Sequence, residues 1–555
     1  MSDVAITTRP ARTQSLGRSA DGRTLPSRRR RLAPLIRLSD PVGGWVAAIA
    51  ITLIAFGLRV WNLGRPDSFA FDETYYAKDA YSLLKHGYTT TYLDGADDRI
   101  LSGNLTNIFG DEPSKVVHPE VGKYMIAVGE WLFGMDPTGW RMSSAVFGSL
   151  TILVLIRLVR RITGSTLMGC IAGVLMTFDG LAFVMSRLAL LDIFLTFWLV
   201  CAVACLVADR DWGRLRLARA AGSVPTRMDG YGPLLFFRPW RIGAGICFGL
   251  ACGTKWNAVF ALGAFGLLTW AWDSGARRTF GVRYPTYKAF IVDTIPSAFT
   301  LLFVAFVVYV LTWTDFLIHA NVYEATFGAT WGTYWQHDAT GFVPEMMQSL
   351  RSLWNYHIDV WDFHTGVPDT NGWSINNQTH PYMSNPGGWP ILNRPVGVDA
   401  QLDIQPGQEG CTAAAGSTCL RQVLLLGTPA LWWGGVAALF ASFVFWLGQR
   451  DWRFGVALVG YLSLWLPWFR YDDRPIFFYY AVAMVPFMVI AVTLVIGKIL
   501  GPPEATHYRR LVGSAVCGAF VLLVLVNFAW FYPIYADSLI THSQWLERIW
   551  FAKWI

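Results

Sequence analysis

Ionisable side chains are scarce in this chain, and those that interrupt apolar or aromatic surroundings are where chemistry is to be sought. Asp72 and Glu73 sit together in Phe71-Asp72-Glu73-Thr74-Tyr75-Tyr76. A partly desolvated carboxylate can take the proton of an alcohol as the alcohol attacks, and the flanking rings offer a platform for a sugar. The plainer use of such a pair is to cap a helix start. Lys255 stands alone in the apolar stretch Ile242 to Trp272, with no acidic neighbour in sequence. A fixed cation there suits a phosphate leaving group, unless its stem merely snorkels to the headgroups. Arg141 opens another apolar run and can share the phosphate role or anchor a helix at the interface. In Ser186-Arg187-Leu188-Ala189-Leu190-Leu191-Asp192-Ile193-Phe194 the Arg187 and Asp192 charges miss the i, i+4 spacing of a same-helix pair, so each is expected to find a partner elsewhere. His118-Pro119-Glu120-Val121-Gly122-Lys123 reads as a helix start with proline in its first turn, and His118 and Glu120 join the supporting candidates. Asp472, Asp473 and Arg474 make one further charged group.

Other chemistries find little footing. The outer histidines His319, His337, His357, His364 and His380 fall in no H-E-x-x-H or other compact ligand spacing. No metal site is therefore assigned and no cofactor is required; a divalent cation at Asp72 and Glu73 is the one metal arrangement left open. There is no G-x-S-x-G elbow and no Walker loop. Gly245, Gly249 and Gly253 form a small-xxx-small stripe that lets helices approach closely in lipid, not a nucleotide loop.

The elements that must position these residues are membrane helices. The chain has 555 residues, 54% hydrophobic and only 15% charged, with a mean hydropathy of +0.37, against about 25% charged residues in a soluble chain. Gly43 to Val60, Ile291 to Trp313, Val423 to Leu447, Ile476 to Ile496 and Leu511 to Phe531 are each long enough to cross a bilayer as a helix. The net charge of +7 is accounted for by Lys and Arg in cytoplasmic loops, so nucleic acid is not implied. Residues 1–42, with Arg28 to Arg31, read as a disordered basic cytoplasmic tail.

With that tail inside, residues 61–139 lie outside and Trp140 to Leu158 returns to the basic cluster Arg157, Arg160 and Arg161. Ser165 to Ala208 and Ile242 to Trp272 are each bounded by basic residues and are expected as hairpins, turning outside near Phe178 to Arg187 and at Gly253-Thr254-Lys255-Trp256-Asn257. Arg238, Arg241, Arg277 and Arg278 are counted here as cytoplasmic loop charge. Gly122 to Phe133 is too short to cross and is placed at the outer surface. The expected fold is an all-α polytopic membrane protein with about 11 transmembrane helices, a cytoplasmic N-terminus and an external C-terminus. Residues 43–313 form an N-terminal transmembrane catalytic module, 314–421 a large outer loop and 422–555 a C-terminal transmembrane module. A loop of that length is usually functional. Six of the eight cysteines lie in apolar helices; Cys411 and Cys419 share a polar outer loop where a disulfide is expected. The site candidates all fall near the outer boundary.

In that order, Asp72-Glu73, His118-Pro119-Glu120-Val121-Gly122-Lys123, Ser186-Arg187 with Leu190-Leu191-Asp192-Ile193-Phe194, and Gly253-Thr254-Lys255-Trp256 resemble the motifs of protein O-mannosyltransferases. The resemblance runs from Arg59 to the end, is strongest before Asn257, and implies the membrane glycosyltransferase fold GT-C. It also implies transfer of mannose from a polyprenyl-phosphate-mannose lipid (dolichyl in eukaryotes) to Ser or Thr of exported proteins, met as they emerge from the translocon, with the active site on the outer face of the plasma membrane. Asp72 matches the catalytic acidic residue and is implied to be the base; Glu73 would support it or bind acceptor or sugar. Lys255 matches the residue associated with the donor phosphate, with Arg141 as helper, and the transfer would invert the anomeric carbon. Two departures stand out. Thr314 to Arg421 is too short for the β-trefoil repeat domain of the eukaryotic enzymes, which points to the bacterial, actinobacterial-type branch, and Glu120 replaces proline in the family's His-Pro-Pro-Leu-Gly-Lys form, leaving its role open.

A glycosyltransferase with a cell-wall lipid or glycan as acceptor, and a lipid-linked-sugar flippase, are the alternatives; the flippase would call for repeat symmetry and a midplane site. If the topology is right, cysteines placed on the two flanks of Trp140 to Leu158 will be labelled from opposite sides of the membrane; labelling of both from one side would overturn it.

Overall fold

The computed structural model describes residues 41–221, 227–331, 340–366, 375, 379–502 and 504–555, with isolated positions before 41. The expected basic tail thus lies almost wholly outside the described residues. Helices occupy every stretch in which apolar length predicts a span. They are α1 Pro41–Val60, α4 Pro137–Thr163, α5 Thr166–Thr177, α7 Leu191–Ala220, α8 Pro239–Cys252, α9 Ala258–Phe280, α10 Pro285–Leu311, α12 Pro429–Gln449, α13 Trp452–Trp465, α14 Phe478–Leu500 and α15 His507–Tyr535. Among the described residues seven of these, α1, α4, α7, α10, α12, α14 and α15, are long and apolar enough to cross a membrane. This is a multi-pass membrane protein. The count of about 11 needs the other four as well, and α5, α8 and α13 have only 12, 14 and 14 residues.

The outward segment after α1 folds as α2 Glu73–His86, a two-stranded ribbon of β1 Thr90–Tyr92 and β2 Phe109–Pro113, and α3 Val121–Phe133. α3 packs on α4, where Gly129 comes so close that a Cβ would sit 2.4 Å from the Gly139 carbonyl oxygen. α6 Gly180–Met185 makes the turn between α5 and α7, capped by Asp179, which accepts from Ala182 N at 2.9 Å and from the Trp432 indole at 2.8 Å. The larger outer segment contains α11 Phe342–Thr365 and, within the mainly helical fold, a small sheet. β3 Val396–Ile404, β4 Cys419–Leu425 and the short β5 Ile540–Thr541 form an antiparallel sheet, and the Cys411–Cys419 disulfide closes the β3–β4 connection. β5 comes from the far end of the chain, a pairing that local periodicity does not reveal.

The small-residue stripe acts as a packing surface. Cβ atoms on Gly245, Gly249 and Gly253 would meet the Thr300 carbonyl oxygen at 2.4 Å, Ala305 O at 2.7 Å and Thr312 Oγ1 at 2.7 Å, so α8 lies backbone to backbone along α10. At the opposite end from Lys255, four helices are clamped by buried charge. Arg238 and Arg241 bind Asp209 at 2.7 and 2.8 Å and Asp273 at 3.1 and 2.8 Å, and Arg277 pairs with Asp293. Arg238, Arg241 and Arg277, counted from the sequence as loop charge, are therefore buried in ion pairs. A burial pattern of this kind depends on carboxylates from α7, α9 and α10 that are distant in sequence.

Gly249→Leu should force α8 and α10 apart and destabilise the protein by about 1–3 kcal/mol. In thermal unfolding of purified protein, Gly263→Leu serves as the control, because a Cβ there meets nothing within 4 Å.

Candidate active site

The N-terminus of α2 is aimed by a strained turn. Phe71, a bulky residue, has φ +54°, a conformation that costs energy and persists only when its surroundings enforce it. The Phe71 ring is held edge-on by Phe477 at 5.3 Å and Tyr479 at 5.7 Å. Next to it Asp72 occupies the N-cap position, but its side chain does not cap. Asp72 Oδ2 instead accepts from the Tyr479 hydroxyl at 3.1 Å, and its carboxylate lines a cavity of about 640 Å³. Burial pushes the Asp72 carboxyl up to about 6, held there against the Tyr479 hydrogen bond and the nearby Lys255 cation, which both lower it.

Glu73, one residue on, faces the other way. Its Oε1 accepts from Arg141 Nε at 2.8 Å and from Ala189 N at 2.8 Å; Oε2 accepts from Arg141 Nη2 at 2.7 Å and from Ala70 N at 2.9 Å. Arg141 spends its remaining donors on Pro66 O at 2.7 Å, Ser68 O at 2.8 Å and Leu63 O at 3.3 Å. Both side chains are fully buried, and neither lines the cavity. The pair ties together the loop before α2, the start of α4 and the start of α7. Adjacent carboxylates thus differ in kind: Asp72 faces open space and Glu73 is saturated.

Lys255 has a partner that the sequence does not disclose. In the turn between α8 and α9 its Nζ lies 3.0 and 2.9 Å from the two oxygens of Asp192, at the start of α7, and 4.1 Å from the centre of the Tyr480 ring. Lys255 also lines a narrow cleft of about 130 Å³ with Trp256, Val259 and Phe260. His118, His364 and Arg474 border both this cleft and the Asp72 cavity, so the two spaces meet at these three residues. The imidazoles of His118 and His364 stack at 5.4 Å, and burial holds His364 down at about 4 and His118 well below its usual value, so both are neutral at pH 7. Arg474 Nη1 donates to His364 O at 3.2 Å, while its buried Nε has no hydrogen-bond partner among the described residues.

Glu120 and Arg187 lie outside this constellation. Glu120 accepts from Lys123, whose ammonium also reaches Asp79 at 3.3 Å; burial raises the Glu120 carboxyl to about 8. Arg187 donates to the carbonyl oxygens of Arg59, Trp61 and Asn62 at 2.8, 2.6 and 2.9 Å, closing the C-terminal end of α1. Tyr76, one of the rings read from the sequence as flanking Asp72, lines the cavity. Residues not singled out from the sequence are Asp79, which also lines it, and Tyr479 and Tyr480. Asp79 had a signal: with Asp72 and Tyr76 it falls at i, i+4 and i+7 on one face of α2. Tyr479 and Tyr480 come from α14, far along the chain, and had none beyond their aromatic run. Among the described residues, no group of three or more His, Cys, Asp or Glu is placed to hold a metal ion.

A helical membrane scaffold with its charged cavity at one end of the bundle is a recognisable class. The S. cerevisiae protein O-mannosyltransferase Pmt1–Pmt2 complex bound to the sugar donor shares the fold at a TM-score of 0.65 and 13% identity, over 94% of this chain and 95% of that one. This is the GT-C glycosyltransferase fold. Residues 128–324 match the model of the dolichyl-phosphate-mannose-protein mannosyltransferase family, and 349–554 that of the C-terminal four-helix region of protein O-mannosyltransferases. The polyprenol-phosphate-mannose–protein mannosyltransferase of Mycolicibacterium smegmatis is 38% identical over 93% of this chain and 94% of its own length. Those of Mycobacterium tuberculosis and Corynebacterium glutamicum are 37% and 31% identical, over 93% and 87% of this chain and 92% and 88% of theirs. The chain belongs to the protein O-mannosyltransferase family.

Removing one half of the Glu73–Arg141 pair leaves the other charge buried without its counter-ion, which typically costs 3–5 kcal/mol. Arg141→Met should therefore lower the thermal midpoint of the purified protein sharply. The double variant Glu73→Gln/Arg141→Met should recover part of the loss.

Proposed function

We propose that this protein transfers mannose from polyprenyl-phosphate-mannose to Ser and Thr hydroxyls of exported proteins, at the outer face of the cell membrane. The observation that carries this reading is the meeting of the Asp72 cavity with the Lys255 cleft at His118, His364 and Arg474. An acceptor and a lipid-linked sugar phosphate can approach each other there from two directions. The relatives, polyprenol-phosphate-mannose–protein mannosyltransferases by name, support it.

In this mechanism the acceptor hydroxyl enters the larger cavity and gives its proton to Asp72 as its oxygen attacks the anomeric carbon. The bond from that carbon to the phosphate oxygen breaks, and the electron pair leaves with the phosphate. Attack opposite to departure inverts the configuration. Lys255, held by Asp192, and Arg474, with its unpaired Nε, face the leaving phosphate, where preorganised charge is worth most. The apolar cleft beside Trp256 takes the start of the polyprenyl tail. Glu73 and Arg141, the first expected to assist the base and the second to bind phosphate, act instead by positioning, since their hydrogen-bonding groups are used by protein partners. Glu120 and Arg187 support the first outer segment in the same sense. No cofactor enters the scheme.

The same reading assigns 43–313 to a catalytic module, 314–421 to an outer loop that walls the acceptor cavity, and 422–555 to a second membrane module supplying Arg474, Tyr479 and Tyr480. It takes eleven helices as crossings, with a cytoplasmic N-terminus and an external C-terminus, and lets acceptors arrive as they emerge from the translocon.

Asp72→Asn should reduce mannose transfer to a Ser/Thr-rich peptide about 10²–10⁴-fold in membranes with equal protein levels. Transport of the lipid with no peptide glycosylated by the native protein would instead favour the flippase, and transfer to a wall glycan the alternative acceptor. Since the base is the ionised form, activity should fall as pH drops through about 6, and this acidic limb should vanish from the residual rate of Asp72→Asn. The sign for stability is opposite. A carboxyl raised on folding disfavours the folded state as pH rises through its folded value, so Asp72→Asn should be no less stable than native protein at pH 7, which separates lost catalysis from lost fold.

A further inference from the structure

A second cavity, of about 540 Å³, lies at the other end of the bundle. α4 begins at the Arg141 end and runs 27 residues to Thr163, which borders this cavity; at 1.5 Å per residue the two ends are about 40 Å apart, a full membrane away from the Asp72 site. The wall is drawn from both membrane modules: the α4–α5 turn with Ser165 and Leu167 on one side, α13, α14 and the start of α15 on the other.

Its chemistry is that of an anion site. Arg453, Lys498 and Arg510 line it. The carboxylate beside them, Asp451, binds Arg453 at 2.6 Å and Lys498 at 3.5 Å, so three cations meet one anion. Arg509 adds to the excess, its guanidinium lying against Gly501 on the rim. The N-terminal ends of α5 and α15 supply partial positive charge, partly offset by the C-terminal ends of α4 and α14. Deep in the wall Thr493 is fully buried, and its Oγ1 has no hydrogen-bond partner among the described residues. A buried hydroxyl left unpaired is costly and expected only where something else fills its need. The remaining wall is mixed: Thr163, Ser165 and Ser514 are polar, while Met168, Phe454 and Leu494 form an apolar part beside the exposed Leu167. A free anion would gain nothing from that apolar part.

We propose that this cavity is a binding site for the phosphodiester headgroup of an anionic membrane phospholipid. The phosphate meets Lys498 and Arg510, Thr493 donates to an oxygen of the headgroup, and an acyl chain runs out over Leu167 and Leu494. The lipid joins the α4–α5 turn to α13, α14 and α15, and so couples the two modules at the membrane face remote from the proposed transfer site. None of these residues takes part in that chemistry, and the proposal does not depend on it.

The test is a thermal-unfolding titration of the purified full-length protein in neutral detergent with dioleoylphosphatidylglycerol, dioleoylphosphatidylcholine or inorganic phosphate. Phosphatidylglycerol should stabilise saturably and phosphatidylcholine should not. The midpoint should move to roughly 30-fold higher lipid in Lys498→Gln/Arg510→Gln; Thr493→Val should weaken binding in the same direction. Arg510→Gln alone, a change at an exposed position, keeps the test valid if the double variant fails to fold. The same phosphatidylglycerol midpoint in native protein and variants would overturn the site, and full stabilisation by inorganic phosphate at the headgroup concentration would overturn the lipid as its ligand.

Discussion

The interaction on which the outer end of this molecule depends is the buried pair of Glu73 and Arg141. A carboxylate and a guanidinium out of water are tolerated only if nearly every donor and acceptor is matched, and here, besides each other, the matching partners are backbone groups from two places: the loop at Leu63 to Ala70 and Ala189, two residues before α7. Satisfying two charges thereby fixes the path of the chain that carries Asp72. The strained Phe71 turn is held in the same frame, and the aromatic contacts from Phe477 and Tyr479 close it from the C-terminal module.

The same logic recurs at Lys255. In an apolar bundle a lone ammonium at a helix turn would be expensive, and Asp192 removes that expense by bidentate contact. The charges discussed at this end of the bundle divide into those whose hydrogen-bonding groups are taken up by protein partners, as Glu73 and Arg141 are, and those at the border of open space with capacity left over, as Asp72 and Arg474 are. That division separates residues that build the site from those placed to meet a ligand. It also explains why adjacent Asp72 and Glu73 receive different proposed roles.

Charge is handled differently at the far end of the bundle. There Arg238, Arg241 and Arg277 are neutralised by Asp209, Asp273 and Asp293, joining α7 to α10, whereas the cavity at Lys498 keeps an excess of cations. One face of the molecule therefore combines a closed ionic clamp with an open basic cavity.

Much of this was legible in the amino-acid order. Apolar length located the helices, because a bilayer-crossing segment must satisfy its own backbone, and the ordered motifs identified the family that the comparisons show. The turn carrying Lys255, the short helix at Gly122 to Phe133 and the Cys411–Cys419 bridge could likewise be placed, each being a local feature. What only the tertiary structure decided was which charge meets which. Glu73 finds Arg141 across 68 residues and Lys255 finds Asp192 across 63. Tyr479 reaches Asp72 across 407 residues, and the third strand of the outer sheet arrives from residue 540. Such pairings follow from how helices stack and not from spacing along one helix, so the sequence could mark Asp72, Glu73, Lys255 and Arg141 as charges in unusual surroundings. It could not say which of them would be left free to act.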